Sequence, residues 1–484
     1  MTAGGSRAVL RGAGIVFAFV TVAASCAANG GGPGNDGGGE GDAADGGSIE
    51  WSSCGASAEC AELEVPVDYT APDGDTLTLS IARVPARGDR IGPLFVNPGG
   101  PGANASDFAI GIASGLPDEV TEHFDIVGVD PRGLGASAID CGVEVAQLYS
   151  ADPSIDSTRD EAELIELSRE YVDGCEATAG DLLPHLGTEN VARDIDAVRA
   201  AMGDEQLSYL GYSYGTAIGQ TIADIAPDRV RAMVLDGVLE LGVDGIELAR
   251  EQALGFERTL DAVIADCNRD DSCPIGPDAG DAVARLMSLV EQQPIAAASR
   301  PLGPGELALG MVRPLYSQQR WPDLAEAIDE ALDGDGGAMV SLANEYLSLA
   351  DFDVFFAVSC LDSSWPDTSE QLLAAGADAA RDAPHFGQPI VNDYVRCALW
   401  PVESDPLPEV TAPDAPPIVV VSTTGDPATP YEAGVRTAER LATGVLLTHR
   451  GEGHGVVGTG VSCVDDAVAT YLVDLEPPDD GTVC

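Results

Sequence analysis

The sequence predicts the α/β fold class: a mostly parallel central sheet with helices on both faces and an inserted helical cap. Short apolar runs with the length of buried strands flank residues 241–400 on both sides. Residues 241–400 themselves are mostly helical in pattern, and at residues 211–215 a strand-like run turns directly into a helical one. The strand-like runs are residues 93–96, 124–129, 206–210, 231–235, 417–422 and 444–448.

Composition and length divide the chain into five consecutive segments. Residues 29–47 consist almost entirely of Gly, Asp, Glu, Asn and Ala, which cannot bury a core and therefore indicate a flexible tether. A chain of 484 residues is long enough for one large α/β domain plus a cap. The predicted segments are a signal peptide (1–25), a flexible Gly/Asp-rich tether (26–50), the first part of the core (51–240), a helical cap (241–400) and the C-terminal part of the core (401–484).

The N-terminal segment has the proportions of a secretory signal. Arg7 and Arg11 precede an apolar run over residues 13–24. Cys26 follows Ala-Ala-Ser at residues 23–25, which resembles a bacterial lipobox, in which cleavage leaves a lipid-modified cysteine. We therefore expect export and a lipid anchor at the outer face of the cell membrane. An ordinary secretion signal is the alternative.

Residues 211–215, Gly-Tyr-Ser-Tyr-Gly, fit the pattern GxSxG in the local context that this pattern needs. The strand-like run 206–210 precedes them, and a helical run rich in Ala and Ile follows and stops at Pro227. Such a turn exposes the hydroxyl of Ser213 and places the next N–H at the positive end of the helix. We predict that Ser213 is a nucleophile; a glycine-rich loop without chemistry is the alternative.

A serine hydroxyl needs a histidine base, and five histidines are available. His454 lies in Gly-Glu-Gly-His-Gly, residues 451–455, where the glycines suit a loop that reaches across to the serine. We therefore predict that His454 is the base. The other four, for which we expect surface or capping positions or the end of a strand, are His123, His185, His385 and His449.

The carboxylate that orients the histidine should come shortly before it, after another strand. The strand-like run that begins at Pro417 leads into a polar loop containing Asp426, which we predict to be this acid. The order Ser213, Asp426, His454 is the one expected of an α/β-hydrolase and differs from the orders on the chymotrypsin and subtilisin folds. Asp236, at the end of another strand-like run, is the rival acid, with a turn or cap role as its ordinary interpretation.

Acyl transfer also needs N–H donors aimed at the developing negative charge. The strand-like run 93–96 opens into Asn-Pro-Gly-Gly-Pro-Gly, residues 97–102, where glycines let backbone amides approach an oxygen closely. Hydrolases of this fold place a second donor loop before the serine elbow. We assign the oxyanion hole to the N–H groups of Gly100 and Tyr214. A tight turn is the alternative for the glycine cluster.

Taken in order, these motifs resemble the prolyl-iminopeptidase-like serine peptidases. The resemblance rests on residues 97–102, on Asp-Pro-Arg-Gly-Leu-Gly-Ala-Ser at 130–137 and on the elbow, and it extends from about residue 51 to the end. Pro98 stands where the family's loop often has His, and we expect little consequence because the hole uses backbone groups. Four further stretches are similar to the secreted tripeptidyl aminopeptidases and their C-terminal region: residues 425–431, 451–455, 463–468 and 481–484.

The resemblance implies the same triad, and cleavage of short peptides, commonly tripeptides, from a free N-terminus. An enzyme of that kind must bind an ammonium group, usually with carboxylates of a lid. Residues 241–400 are where such a lid is expected, with helical patterns at 247–266 and 323–331. In so acidic a chain an ordinary carboxylate is the alternative for each candidate. The candidates, which lie beside aromatic residues in the sequence, are Asp351, Asp353 and Asp362.

The cysteine count agrees with export. Eleven cysteines include Cys26, and the remaining ten suit five disulfides in an oxidising compartment, although sequence alone does not fix their connectivity. We reject a zinc site because no cysteine pair has CxxC spacing and the histidines are not clustered with them. Sequence proximity suggests Cys54 with Cys60, Cys141 with Cys175, Cys267 with Cys273, Cys360 with Cys397, and Cys463 with Cys484.

Charge excludes some classes of partner. The chain carries 80 acidic and 24 basic residues, all of the latter Arg, for a net charge of −56. Nucleic acid is therefore an implausible partner. Such an excess keeps the surface hydrated and would suit a salty or alkaline medium. No second long apolar segment follows residue 24, so we expect membrane contact only through the lipid anchor.

These observations together predict an extracellular serine exopeptidase that works through an acyl-enzyme and needs no cofactor or metal. Its expected substrates are peptide or protein N-termini. A carboxylesterase is the nearest alternative, since the same triad cleaves esters. A surface binding protein on an inactive hydrolase scaffold is a third interpretation, which the presence of all three triad candidates disfavours.

Overall fold

A ten-stranded sheet forms the centre of the computed structural model, which describes residues 49–55 and 57–484. The predicted signal peptide, most of the tether and Cys26 lie outside these residues. The strands are β1 (Ser52–Ser53), β2 (Glu59–Pro66), β3 (Thr76–Val84), β4 (Gly92–Asn97), β5 (Phe124–Val129), β6 (Leu207–Tyr212), β7 (Val230–Asp236), β8 (Ile418–Gly425), β9 (Gly444–Glu452) and β10 (Thr482–Val483).

The strand order brings the carboxyl ends of several strands to one edge. The order is β1-β2-β3-β5-β4-β6-β7-β8-β9-β10. The neighbours from β1 to β5 in this order are antiparallel, and the neighbours from β5 across β4 to β10 are parallel. At the carboxyl edge Asn97 pairs with Gly211, Tyr212 pairs with Asp236, and Asp236 pairs with Val421. Loops that follow β4, β6, β7 and β8 therefore start side by side, which is where ligands bind in such sheets.

Helices cover both faces of the sheet, as predicted. The core helices are α1 (Ala105–Ile112), α2 (Asp118–His123), α3 (Val145–Leu148), α4 (Thr158–Ala179), α5 (Thr188–Ala201), α6 (Gly215–Ile225), α15 (Tyr431–Arg440) and α16 (Ser462–Asp474). Between β7 and β8 lie α7 (Gly245–Cys267), α8 (Ala279–Gln292), α9 (Pro304–Leu315), α10 (Trp321–Leu332), α11 (Gly337–Leu347), α12 (Phe352–Asp362), α13 (Ser369–Ala379) and α14 (Gly387–Asp393). Short 3₁₀ turns span Gly135–Ser137, Leu183–His185, Pro227–Arg229, Gln318–Arg320 and Tyr394–Leu399.

The strands are buried on both faces because their residues alternate between two apolar clusters. Leu94 and Val96 of β4 pack with α1, α2 and α16, whereas Phe95 packs on the opposite face with α5 and α6. This two-sided burial explains why the strand sequences are continuous apolar runs. The predicted fold class is confirmed.

The helical cap has an apolar cluster of its own, built from α7 through α11. Helix α12 differs, because Val354, Phe356 and Val358 join the large cluster against the sheet. The cap is therefore packed onto the core through α12. The helical patterns predicted at 247–266 and 323–331 correspond to α7 and α10, each a little longer than its pattern.

All five disulfides suggested by proximity are present: Cys54–Cys60, Cys141–Cys175, Cys267–Cys273, Cys360–Cys397 and Cys463–Cys484. This number of bridges is typical of proteins exported to an oxidising compartment. Among the residues described, no helix is both long and apolar enough to span a bilayer.

Three details differ from the sequence patterns. Strand β6 continues to Tyr212, so the first two residues of GxSxG belong to the strand. Strand β9 continues to Glu452, so His449 lies inside it rather than at its end. His385 pairs with Glu257 of α7 and is half-buried, because the cap gives it a carboxylate partner 128 residues away in the sequence.

Candidate active site

Ser213 occupies a strained turn between β6 and α6. Its φ angle is 54°, in the left-handed region that residues other than glycine rarely adopt. The turn is tight because β6 and α6 cross closely: a Cβ atom at Gly211 would lie 2.4 Å from the carbonyl oxygen of Gly215. Gly211 therefore makes the crossing possible, whereas Gly215 lets α6 approach Asn97 at the end of β4, since a Cβ atom there would lie 2.6 Å from the Asn97 carbonyl oxygen. Both approaches hold Ser213 at the carboxyl edge of the sheet.

Hydrogen bonds from neighbouring elements fix this turn. The Ser213 N–H donates to the carbonyl oxygen of Asp236 at 3.0 Å. Thr216 donates its hydroxyl to the Ser213 carbonyl at 2.6 Å and accepts from the Leu239 N–H at 2.9 Å. The turn is thus tied to the end of β7 and to the segment that follows β7.

The glycine-rich loop after β4 lies directly against the elbow. Gly99 has a φ angle of 96°, and a Cβ atom there would lie 2.8 Å from the Ser213 Cβ and 2.9 Å from the Tyr214 nitrogen. Only glycine permits this approach. Among the described residues, the N–H groups of Gly100 and Tyr214 have no protein acceptor. Both donors therefore remain available, as the predicted oxyanion hole requires.

His454 and Asp426 are in direct contact. The His454 Nδ1 lies 2.9 Å from each carboxylate oxygen of Asp426. Asp426 is buried and accepts two backbone N–H groups, from Ala428 and Thr429, at 2.9 Å each. The Thr429 hydroxyl lies 3.2 Å from Nδ1 and donates to Asp426 at 3.1 Å. This arrangement holds the imidazole in one orientation with Nε2 free for proton transfer.

The electrostatic surroundings favour a protonated His454. Burial alone would lower the pKa of His454, but the charge of Asp426 and its hydrogen bond outweigh burial, and the charge of Asp236 adds to them. The pKa of His454 is therefore raised above its ordinary value. An imidazole of this kind readily takes the proton of a serine hydroxyl.

Asp236, the rival acid, holds the histidine loop without bonding the imidazole. One carboxylate oxygen accepts the N–H groups of Val456 and Val457, each at 2.7 Å. The other oxygen has no partner among the described residues. Burial, opposed by these hydrogen bonds, raises the pKa of Asp236 to about 6. Because its backbone carbonyl also accepts from Ser213, this residue connects the nucleophile to the loop of His454.

The cap reaches the site at two places. The Tyr316 carbonyl accepts the His454 N–H at 3.0 Å, and the two rings meet edge to face with centroids 5.5 Å apart. At the other place the Asp351 N–H donates to the Gly102 carbonyl at 2.7 Å. The cap thus contacts both the base and the predicted oxyanion loop. The sequence did not predict a role for Tyr316 or Thr429. Only Thr429 could have been recognised, because it lies in the same motif as Asp426.

The three carboxylates predicted to bind an ammonium all have partners within the protein. Asp351 accepts the N–H groups of Asp353 and Val354 at the start of α12. Asp353 accepts the Cys141 N–H at 2.8 Å. Asp362 is half-buried and accepts from the N–H and hydroxyl of Thr188, and desolvation raises the pKa of Asp362 to about 7. Each contact is structural, and ammonium binding by these residues stays a prediction.

The motif at residues 130–137 supports the fold rather than the reaction. Arg132 is fully buried and forms an ion pair of 2.6 Å with Asp194 of α5. Asp130 accepts from the N–H and hydroxyl of Ser106. Among the described residues, no group of three or more His, Cys, Asp or Glu side chains is arranged to hold a metal ion.

Comparisons with known proteins agree with this geometry. One family pattern, described as alpha/beta hydrolase fold, matches residues 92–282, and another, described as TAP-like protein, matches residues 383–484. The chain is 39% identical over 473 residues to the serine protease Hip1 of Mycobacterium tuberculosis, across 90% of this chain and 91% of that protein. The chain belongs to the TAP-like serine peptidases. The predicted family and enzyme class are confirmed.

Other relatives of this TAP-like peptidase carry different names. It is 34% identical over 456 residues to the tripeptidyl aminopeptidase of Streptomyces lividans, across 88% of this chain and 84% of that one. It is 36% identical over 466 residues to carboxylesterase B of Mycobacterium tuberculosis, across 90% and 89% of the two chains. The TAP-like peptidase is therefore a serine hydrolase, and its relatives are named after both peptide and ester cleavage.

Proposed function

We propose that this TAP-like peptidase is an extracellular exopeptidase that releases short peptides, commonly tripeptides, from free N-termini. The observation that carries the proposal is the His454–Asp426 pair beside the strained Ser213 elbow, beneath a cap that contacts the histidine. The similarity to the tripeptidyl aminopeptidase of Streptomyces lividans supports the choice of substrate. The five disulfides support export.

The proposed reaction follows from the positions of these groups. The Ser213 oxygen attacks the peptide carbonyl while its proton passes to Nε2 of His454, and Asp426 keeps the imidazolium in place. The N–H groups of Gly100 and Tyr214 donate to the resulting oxyanion. His454 then gives its proton to the leaving amine, which breaks the C–N bond. Water attacks the acyl-enzyme by the reverse sequence and releases the peptide acid and Ser213.

A carboxylesterase is the second candidate, favoured by the similarity to carboxylesterase B. The same nucleophile, base and oxyanion hole would cleave an ester, and an ester has a better leaving group than a peptide. The two candidates differ in what the cap must bind. A peptidase of this kind needs a place for the ammonium group and side chains of its substrate, whereas a short ester needs neither.

Turnover of three chromogenic substrates separates these candidates. They are a tripeptide p-nitroanilide with a free amine, its N-acetylated form, and a short-chain p-nitrophenyl ester. We expect the free tripeptide to be cleaved at least tenfold more efficiently than the acetylated form. Equal efficiencies would refute the exopeptidase, and ester cleavage without any peptide cleavage would select the esterase.

The lipid anchor on Cys26 is proposed from the sequence alone. Metabolic labelling with a fatty acid in a bacterial host that processes lipoproteins should label the natural chain. Cys26→Ser should abolish the label and release the enzyme to the medium. Equal labelling of both chains would contradict the anchor.

A further inference from the structure

A cavity lies between the cap and residues 148–164 of the core, and we refer to it as the cap cavity. It is bounded by α3, α4, α7, α9, α11, α12, α14 and the 3₁₀ turn after α14, and most of its lining is apolar. Two lining residues tie it to the active site: Phe256 contacts the Tyr316 ring at 5.5 Å between centroids, and Gln252 donates to the Ala428 carbonyl in the loop of Asp426. The residues that carry polar groups or aromatic rings into the lining are Tyr149, Gln252, Phe256, Tyr346, Phe355, Asp393, Tyr394 and Arg396.

Asp393 supplies the carboxylate of this cavity, and no other described lining residue has one. One of its oxygens accepts from Arg396, and the other accepts the Tyr149 hydroxyl at 2.8 Å. A carboxylate accepts about four hydrogen bonds, so roughly two acceptor positions remain. The side chain of Arg396 is 1% exposed, whereas that of Asp393 is 21% exposed. Both side chains line the cavity, and the carboxylate is the more exposed of the two and keeps free acceptor positions, which favours a hydrogen-bond donor such as an ammonium group as ligand.

The aromatic lining suits the same kind of ligand. Tyr346, Phe355 and Tyr394 line the cavity together with Tyr149, whose ring already meets the Arg396 guanidinium at 5.6 Å, and aromatic faces attract a desolvated ammonium group. A carboxylate among aromatic rings is the chemistry that recognises a primary amine attached to an apolar body. The N-terminal residue of a peptide has this composition.

The position of the cavity fits a substrate that is cut after a short peptide. The centroid of Tyr316 lies 5.5 Å from that of His454, and the centroid of Tyr346, at the cavity wall, lies 6.4 Å from that of Tyr316, so the wall is no farther from His454 than these two distances together. Three residues of extended peptide span about 10 Å at 3.3–3.6 Å per residue. A tripeptidyl group whose carbonyl is at Ser213 is therefore about long enough to bring its amine to this wall.

We propose that the cap cavity binds the N-terminal ammonium group of the peptide substrate, with Asp393 as its counter-ion and Arg396 holding Asp393 in place. The proposal rests on the exopeptidase function proposed above. It gives the amine a site that differs from the one predicted by sequence, since Asp351, Asp353 and Asp362 do not line this cavity.

The test compares Asp393→Asn with a matched control, using the three chromogenic substrates on the full-length enzyme. Asp378 and Arg381 form an ion pair with the same spacing of three residues, but on the exposed surface of α13, so Asp378→Asn is the control. Asp393→Asn should lower kcat/KM for the free tripeptide by about 10- to 100-fold, chiefly through KM, which is the range expected for a hydrogen bond to a charged group. It should leave the acetylated peptide and the ester within about twofold of the natural enzyme, and Asp393→Glu should retain the preference for a free amine.

Further variants guard against a purely structural effect. Ala308→Phe narrows the cavity without changing the ion pair and should raise KM for the free tripeptide while the ester is still cleaved. If Asp393→Asn loses all three activities, the Ala308→Phe result decides, and unchanged tripeptide kinetics would overturn the site. An Asp393→Asn enzyme that keeps the natural preference for the free amine would also overturn the site, and loss of this preference in Asp351→Asn instead would move it to the position predicted by sequence.

The failure of the site differs from the failure of the proposed function. If the natural enzyme cleaves free and acetylated tripeptides equally well, both the exopeptidase function and the ammonium site are refuted. If the natural enzyme prefers the free amine and Asp393→Asn keeps that preference, only the ammonium site at Asp393 is refuted.

Discussion

The carboxyl edge of the sheet and the helical cap build the active site by different means. At the sheet edge, Ser213 and the loop of Gly99 are fixed by backbone geometry: a strained φ angle, glycines at points of close approach and short hydrogen bonds. The cap contributes side chains and single backbone contacts from residues far away in sequence, such as Tyr316 and Asp351. This difference suggests that the edge governs bond cleavage for any acyl substrate and that the cap governs which substrate is cut.

The largest expected effect is at the sheet edge. Ser213→Ala should reduce kcat for peptide and ester alike by about 10⁶-fold, the loss expected when a triad nucleophile is removed. The thermal unfolding midpoint should change little, because the substitution keeps the Cβ atom and leaves the strained backbone of the turn as it is. Kinetics on both substrates check this expectation, and ester cleavage at nearly the natural rate would remove Ser213 from the mechanism.

The next effect separates the two carboxylates near His454. Asp426→Asn should reduce kcat by about 10⁴-fold, because an amide favours the wrong imidazole tautomer. Asp236→Asn serves as the matched control, since its side chain bonds backbone N–H groups rather than the imidazole. Its loss should fall well short of the roughly 10⁴-fold loss at Asp426. A larger loss at Asp236 than at Asp426 would exchange their roles.

A third effect concerns stability and belongs to the cap. Replacing Cys360 and Cys397 by Ala opens a bridge with a sequence separation of 37, which should lower the free energy of unfolding by about 3–4 kcal/mol. The Cys54–Cys60 bridge, with a separation of 6, is the control, and its loss should lower the free energy of unfolding by only about 2 kcal/mol. Denaturant unfolding under oxidising conditions measures both.

The variant without the Cys360–Cys397 bridge also tests whether the cap governs substrate choice while the sheet edge governs bond cleavage. Cys360 belongs to α12, which also carries Phe355 in the lining of the cap cavity, so loss of the bridge should raise KM for the tripeptide more than for the ester. Equal changes for both substrates would contradict a cap that acts on substrate choice alone.

The smallest effect is a shift in the pH profile. The charge of Asp236 helps to raise the pKa of His454, and the base must be neutral to accept the serine proton. Removing this charge in Asp236→Asn lowers the pKa of His454, so His454 becomes neutral at lower pH. The acidic limb of the kcat/KM profile should therefore move to lower pH. An unchanged profile would mean that Asp236 is not charged when the enzyme works. A shift to higher pH would contradict the expected effect of its charge on His454.

Local patterns were enough to predict the elements around Ser213. GxSxG between a strand and a helix indicates the elbow because the backbone cannot make that turn without small residues on both sides. The cysteine pairs followed from proximity, since bridges with short loops need only local folding. The sequence also indicated how Ser213, Asp426 and His454 could come together, because each residue follows a strand and parallel strands end at one edge. Their catalytic roles stay predictions.

Contacts between distant residues were not predictable from sequence. The cap aromatics gave no sign that Tyr316 would meet His454, because that contact joins positions 316 and 454 through packing of the whole cap. The acidic composition also gave no indication of where each carboxylate lies. Asp351, Asp353 and Asp362 accept hydrogen bonds outside the cavity, while Asp393, which no pattern marked, pairs with Arg396 and lines the cavity.

By itself, the sequence determined the class of chemistry and the order of the triad candidates, and it suggested the disulfide pairs by proximity, because these depend on residue type and local spacing. The tertiary structure decided which carboxylate bonds His454, which one clamps its loop and which one faces the cap cavity. The physical reason is that a carboxylate's role depends on its burial and hydrogen-bond partners, and those partners come from elements brought together only by folding.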